Sequence, residues 1–142
     1  MGRTGMSKVL IDTHTWIWYV SGSKELSKAV HKAITDALHE HRAYLAAISL
    51  WEICMLDKKR RIILEMPCLE WIHQFIDLTH VQILPLTPEI ANESCFLPGE
   101  FHEDLADRLI MATARVERLT LITRDERMID YGKQKYASII KV

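Results

Sequence analysis

A chain of 142 residues is long enough for one domain with a sizeable core, and 49 % hydrophobic against 26 % charged residues excludes a disordered chain. With 18 basic and 19 acidic side chains the protein cannot coat nucleic acid by bulk charge, although a local basic rim around an acidic site remains open. Cys54, Cys68 and Cys95 are odd in number, far apart and without a Cys-x-x-Cys pair, which speaks against a disulfide framework or a thiolate zinc site and for a reducing, cytoplasmic setting.

Residues 1–7, "MGRTGMS", precede an apolar run too short for a signal peptide. They are expected to form a flexible extension, with Met6 as an alternative start, and residues 8–142 to form one domain. No apolar stretch approaches the roughly 18 residues of a membrane span. Residues 8–12, "KVLID", read as a short buried strand, and "THTWIWYVSG" as a helix opened by Thr13 and closed near Gly22. Residues 24–40 carry Leu26, Val30, Ala33, Ile34, Ala37 and Leu38 at helical spacing. "AYLAAI" reads as a strand, and "SLWEICMLDKK" as a helix with Ser49 as N-cap. "RIIL" fits neither class clearly, and Pro67 opens a helix over "CLEWIHQFIDLT".

"VQILPL" is the next strand and "PEIANESCFL" a helix beginning at Pro88. "DLADRLIMATARVERL" is the strongest helical pattern in the chain. "TLITRD" is another buried strand, "ERMIDYG" a helical turn and "ASIIKV" a final edge strand. Short apolar strands separated by longer helices predict an α/β fold, a central parallel sheet covered by helices on both faces in an α/β/α arrangement.

In such a sheet, ligands bind beyond the carboxyl ends of the strands, and that rule sorts the acids. Asp12 and Asp125 each end a strand, Glu52 lies in the first turn after "YLAAI", and Asp107 opens the strongest helix with Asp104 three residues ahead. Gathered carboxylates repel and hold one another's protons unless a cation joins them. All-oxygen ligation without a convergent histidine suits Mg²⁺ or Mn²⁺, and phosphodiester hydrolysis is the chemistry such a site serves best.

Each acid has a plainer reading. Ser49-x-x-Glu52 fits a capping box, Asp104-x-x-Asp107 has the same spacing, and Asp12 and Asp125 could be turn or cap residues. Thr13 and Thr123 offer hydroxyls beside the site. Arg108 and Arg124 could hold phosphate or pair with Glu103, Glu126 or Asp130. Trp16, Trp18, Trp51 and Trp71 read as core or interface anchors. His14 and His102 could meet a substrate, though neither is assigned as a base.

Four blocks, "VLIDTH", "ISLWEI", "DLADRLIMATA" and "LITRD", follow one another in an order that resembles PIN-domain ribonucleases, specifically VapC-type toxins of type II toxin-antitoxin pairs. The resemblance covers the chain from about Lys8. It implies that Asp12, Glu52, Asp107 and Asp125 are the four family acids, and that Thr123 is the hydroxyl residue beside the fourth. Asp104 stands where the family's third block commonly begins, with Leu105 in place of the usual proline. It further implies a five-stranded parallel sheet, a homodimer, Mg²⁺- or Mn²⁺-dependent cleavage of RNA, and a VapB-like antitoxin that inserts a segment into the acidic groove. A haloacid-dehalogenase-like phosphatase would need an acid where His14 stands, and a receiver domain would need an acid pair before Asp12. A metal-dependent DNA nuclease and a non-catalytic PIN-like scaffold remain as alternatives.

Overall fold

The structure is a computed structural model and describes residues 7–142. The expected flexible extension therefore lies outside the described residues except for Ser7, whose carbonyl accepts a 2.6 Å hydrogen bond from Arg42. Five strands alternate with seven helices among the described residues. In chain order they are β1 (Val9–Ile11), α1 (Thr13–Ser21), α2 (Lys28–His39), β2 (Ala43–Ala46), α3 (Ala47–Lys58), α4 (Cys68–Thr79), β3 (Gln82–Leu84), α5 (Pro88–Cys95), α6 (Leu105–Val116), β4 (Thr120–Thr123), α7 (Glu126–Lys133) and β5 (Ser138–Lys141).

All four strand pairings are parallel, in the order β3-β2-β1-β4-β5. Side chains alternate across the sheet because the strand period is two. Val9, Ile11, Ala43, Leu45 and Ile122 join one core with Trp16, Ile34, Ile53 and Trp71 from α1 to α4. Leu10, Ala46 and Leu121 join a second core with Ile90, Ile110, Met111 and Met128 from α5 to α7. The result is the α/β/α sandwich that the pattern predicts, with β5 at an edge. Trp16 and Trp71 are core residues, whereas Trp51 is 52 % exposed.

Several helix starts differ from expectation, and each has a local cause. The helix expected over residues 24–40 starts only at Lys28, because Ser27 caps it through a bond from the Val30 N–H. The "AYLAAI" strand stops at Ala46, so α3 begins two residues before Ser49 and has no side-chain cap. Ser49 is thus inside the helix, and the expected capping box with Glu52 does not form. Asp12, not Thr13, is the cap of α1, and Gly22 closes that helix in the left-handed conformation at φ 67°. "RIIL" forms neither helix nor strand.

Topology decides where a ligand can sit. From central β1 the chain moves outward to β2 and β3, then returns to β4 on the other side. The ends of β1 and β4 therefore flank the point where connections diverge, the position at which open α/β sheets leave a crevice.

Candidate active site

Asp12 caps α1 with one oxygen and keeps the other for the site. Its Oδ1 accepts from the Thr15 N–H at 2.9 Å, and Oδ2 accepts from the Thr123 hydroxyl at the end of β4. Burial pushes this carboxyl above its usual range, against the hydrogen bonds from Thr123 and Thr15 that pull it down. Thr123 also accepts from the Asp125 N–H at 3.0 Å, so one buried hydroxyl ties the first strand-end acid to the second. Asp125 in turn caps α7, accepting from the Arg127 and Met128 N–H groups through Oδ1.

Glu52 enters from α3. Its Oε1 meets the Thr13 hydroxyl, which also lies 2.9 Å from the buried Ser49 Oγ. Burial raises the Glu52 carboxyl, the Thr13 bond opposes this, and Asp104 and Asp12 raise it further. Asp104 caps α6 by accepting the Asp107 N–H at 2.9 Å. Asp107 then projects from the first turn into the acid cluster. Burial first, then the charges of Asp104, Asp125 and Glu52, push its carboxyl up to about 7, with Arg127 opposing. Asp12, Glu52, Asp104, Asp107 and Asp125 all line one cleft of about 570 Å³, with Thr13, His14, Trp18, Arg61, Arg124 and Arg127 around them.

The donor set suits a divalent cation. His102 Nε2 lies 3.1 Å from Asp107 Oδ2, but the contact is not aligned as a hydrogen bond and Nε2 is left buried without a partner. Ligand atoms of His102, Asp107 and Asp125 fall within 4.8 Å of one another. Carboxylates held above their ordinary range and an orphaned imidazole nitrogen are both relieved by positive charge between them. His102 thus stands among the carboxylates that could hold an ion. Burial and Arg127 hold the His102 imidazole below its ordinary pKa, which favours the neutral ring.

The family model for the PIN domain matches residues 9–134. The chain belongs to the PIN-domain family. This PIN domain is 37 % identical over 123 residues to ribonuclease VapC22 of Mycobacterium tuberculosis (strain ATCC 25618 / H37Rv), covering 87 % of this chain and 91 % of that protein. Among solved structures it is similar to a toxin-antitoxin complex from Klebsiella pneumoniae, with TM-score 0.62, 25 % identity and coverage of 94 % of this chain and 97 % of that one. It also shares the fold of DNA-bound VapBC from Salmonella typhimurium, with TM-score 0.70, 16 % identity and 96 % and 98 % coverage.

Not every expected residue of the PIN domain reaches the cleft. Arg108 turns away and donates to the carbonyls of Ser94, Phe101 and His102, so it holds the 101–104 loop and does not face a phosphate. Arg124 stands on the cleft wall, 4.5 Å above the Trp18 ring. Its partner is Glu25, through both side chain and carbonyl, and not Glu103, Glu126 or Asp130. Arg61 and Arg127 were missed as rim cations. For Arg127 a signal existed, because it sits in the first turn after Asp125. Arg61 lies in the irregular segment between α3 and α4, where no periodicity points inward.

Proposed function

We propose that this chain is the toxin of a VapC-type toxin-antitoxin pair, an endoribonuclease that hydrolyses RNA phosphodiester bonds in the acid cleft with Mg²⁺ or Mn²⁺. The observation that carries this reading is the meeting of Asp12, Glu52, Asp107 and Asp125 in one cleft beside Thr123, in a chain 37 % identical to a named ribonuclease. Asp12, Asp107 and Asp125 would hold the ion, with Glu52, Asp104 and His102 around it. Bound there, the ion would supply Lewis acidity toward a phosphodiester oxygen and a more acidic water.

The chain's own groups do the rest. Thr123 fixes the free oxygen of Asp12, and the cap bonds of Asp104 and Asp125 orient two further carboxylates. Thr13 holds Glu52, which leaves this hydroxyl a positioning role and gives Glu52 a fixed place from which to take a proton from the attacking water. Arg61, Arg124 and Arg127 form a cationic rim suited to the flanking phosphates. The solved neighbour from Klebsiella pneumoniae is a toxin-antitoxin complex, which supports a VapB-like antitoxin for this chain as well. A homodimer and a cytoplasmic location belong to the same reading. No helix among the described residues is long and apolar enough to cross a membrane.

The test is cleavage of structured RNA and of single- and double-stranded DNA by purified protein, with Mg²⁺ or Mn²⁺ and with excess chelator. RNA cleavage that stops with chelator is expected. Activity undiminished by chelator overturns the metal reading, and preferential DNA cleavage overturns the RNA reading. Light scattering should give twice the 16.5 kDa of one chain; a monomer with and without antitoxin removes the dimer.

A further inference from the structure

We propose that Cys54 and Cys68 form an oxidisable dithiol, a site at which a low-molecular-weight disulfide is reduced while the two protein sulfurs join and tie α3 to the start of α4. All three cysteines are free thiols, and only these two face each other. Cys68 Sγ donates to Cys54 Sγ across 3.7 Å. A disulfide needs about 2.05 Å, so closure requires the sulfurs to approach by under about 2 Å. The pair straddles two elements that already pack together. Cys54 is exposed on α3, two residues beyond Glu52, and Cys68 is the first residue of α4, partly buried against the first core.

What lies between the sulfurs gives the bond a consequence. The segment from Lys59 to Pro67 is irregular and carries Lys59, Arg60 and Arg61 directly after Lys58. Ile62, Leu64 and Met66 pack on the core while Arg60, Arg61 and Ile63 stay exposed. Arg61 lines the acid cleft. Joining Cys54 to Cys68 closes this basic strap into a short loop and restricts the freedom of Arg61 at the cleft rim.

The chemistry balances with a disulfide such as oxidised glutathione as the oxidant. The exposed Cys54 thiolate attacks one sulfur of the small disulfide, whose S–S bond breaks and releases one thiolate. Cys68 then gives its proton to solvent, and its sulfur attacks Cys54, breaking the mixed disulfide and releasing the second thiolate. Two protein thiols are oxidised and one disulfide is reduced to two thiols. Burial, and the hydrogen bond to Cys54, push the Cys68 thiol up to about 11, which keeps it protonated and leaves the first attack to the exposed Cys54.

The experiment uses the whole chain equilibrated with oxidised glutathione, then thiol titration, tryptic mapping and a non-reducing gel. A Cys54–Cys68 bond should be found within one chain. Trypsin should cut after Arg60 and Arg61 several-fold more slowly than in the reduced protein, and the resulting pieces should separate only on reduction. Cys54→Ser and Cys68→Ser should each abolish that protection. Mapping the wild-type chain needs no variant, so a misfolded variant does not blunt the test. The proposal is overturned if the two sulfurs stay reduced, if they end as separate mixed disulfides, or if Cys54 links only to a second chain. None of these readouts depends on nuclease activity.

Discussion

Two grooves open on the same carboxyl edge of the same sheet, and they share almost nothing chemically. Beyond β1 and β4 lies the acid cleft of about 570 Å³. Beyond β2 and β3 lies a smaller one of about 260 Å³, lined by Ala46, Ile48, Trp51, Leu84, Leu86 and Ile90. Strand ends alone therefore do not make a charged site. At β1 and β4 each strand delivers an acid that caps the following helix, and Thr123 locks the two together. At β2 the chain runs into α3 through Ala46 without any side-chain cap, and β3 continues into Pro85 and Leu86. Capping and site-building are one act in the first groove: the helix N-termini that need acceptors are what aim the carboxylates.

The largest break in this contrast should come from Asp12→Asn, which removes ligand charge with little change of volume. RNA cleavage should fall by at least about a hundredfold, the scale of losing even an outer-shell partner of a metal ligand, while circular dichroism stays native. If the variant unfolds instead, Asp12 is a structural cap and no more.

Asp107→Asn should cost a similar loss of cleavage but raise the stability of the cation-free protein. The sign follows from its folded pKa of about 7, well above the ordinary carboxylate value of 3.8. The folded state then holds more protons than the unfolded state between these two values, so stability falls as pH rises through that window. At pH 8 the amide should gain roughly 2 kcal/mol over wild type, discounted for solvent screening, and near pH 3 almost nothing. Thermal melts of both proteins at the two pH values measure it. Asp104→Asn keeps an effective cap and should retain far more cleavage than Asp107→Asn. The reverse order of activities would make Asp104 the third ligand.

A smaller effect is expected at the link itself. Thr123→Val leaves Asp12 Oδ2 and the Asp125 N–H short of a partner, at a cost of about 1–3 kcal/mol, with weaker Mn²⁺ binding by calorimetry. Equal stability and equal affinity would mean the hydroxyl merely fills space. The smallest effect should come from the apolar groove. Trp51→Ala should leave cleavage by pre-formed protein within about threefold, since a half-exposed ring away from the acids removes packing and no charge. A loss as deep as that of Asp12→Asn would show the two grooves acting as one.

Much of this architecture was readable from local pattern. Three apolar residues before Asp12, and "TLIT" before Asp125, mark buried strands aimed at carboxylates, and the 3.6-residue stripe of α6 places Asp107 in the first turn of its helix. The side-chain assignments that failed did so for two local reasons. Ser49 looked like a cap because its spacing to Glu52 is right, but β2 ends early and the helix starts at Ala47. Arg108 adjoins Asp107 in sequence, yet a helix turns successive side chains by about 100°, and its guanidinium goes to the loop carbonyls behind.

Residue order alone determined that strand, acid and helix follow one another at β1 and β4, because hydrophobic period and cap chemistry act within a few residues. Tertiary structure decided which acids share a cleft and in what state. Thr123 reaches Asp12 across 111 positions of chain, His102 arrives on a loop pinned by Arg108, and Asp107 keeps its proton to about pH 7 because burial and three neighbouring carboxylates outweigh one arginine. Those are effects of distance and dielectric in the folded state, and no local pattern encodes them.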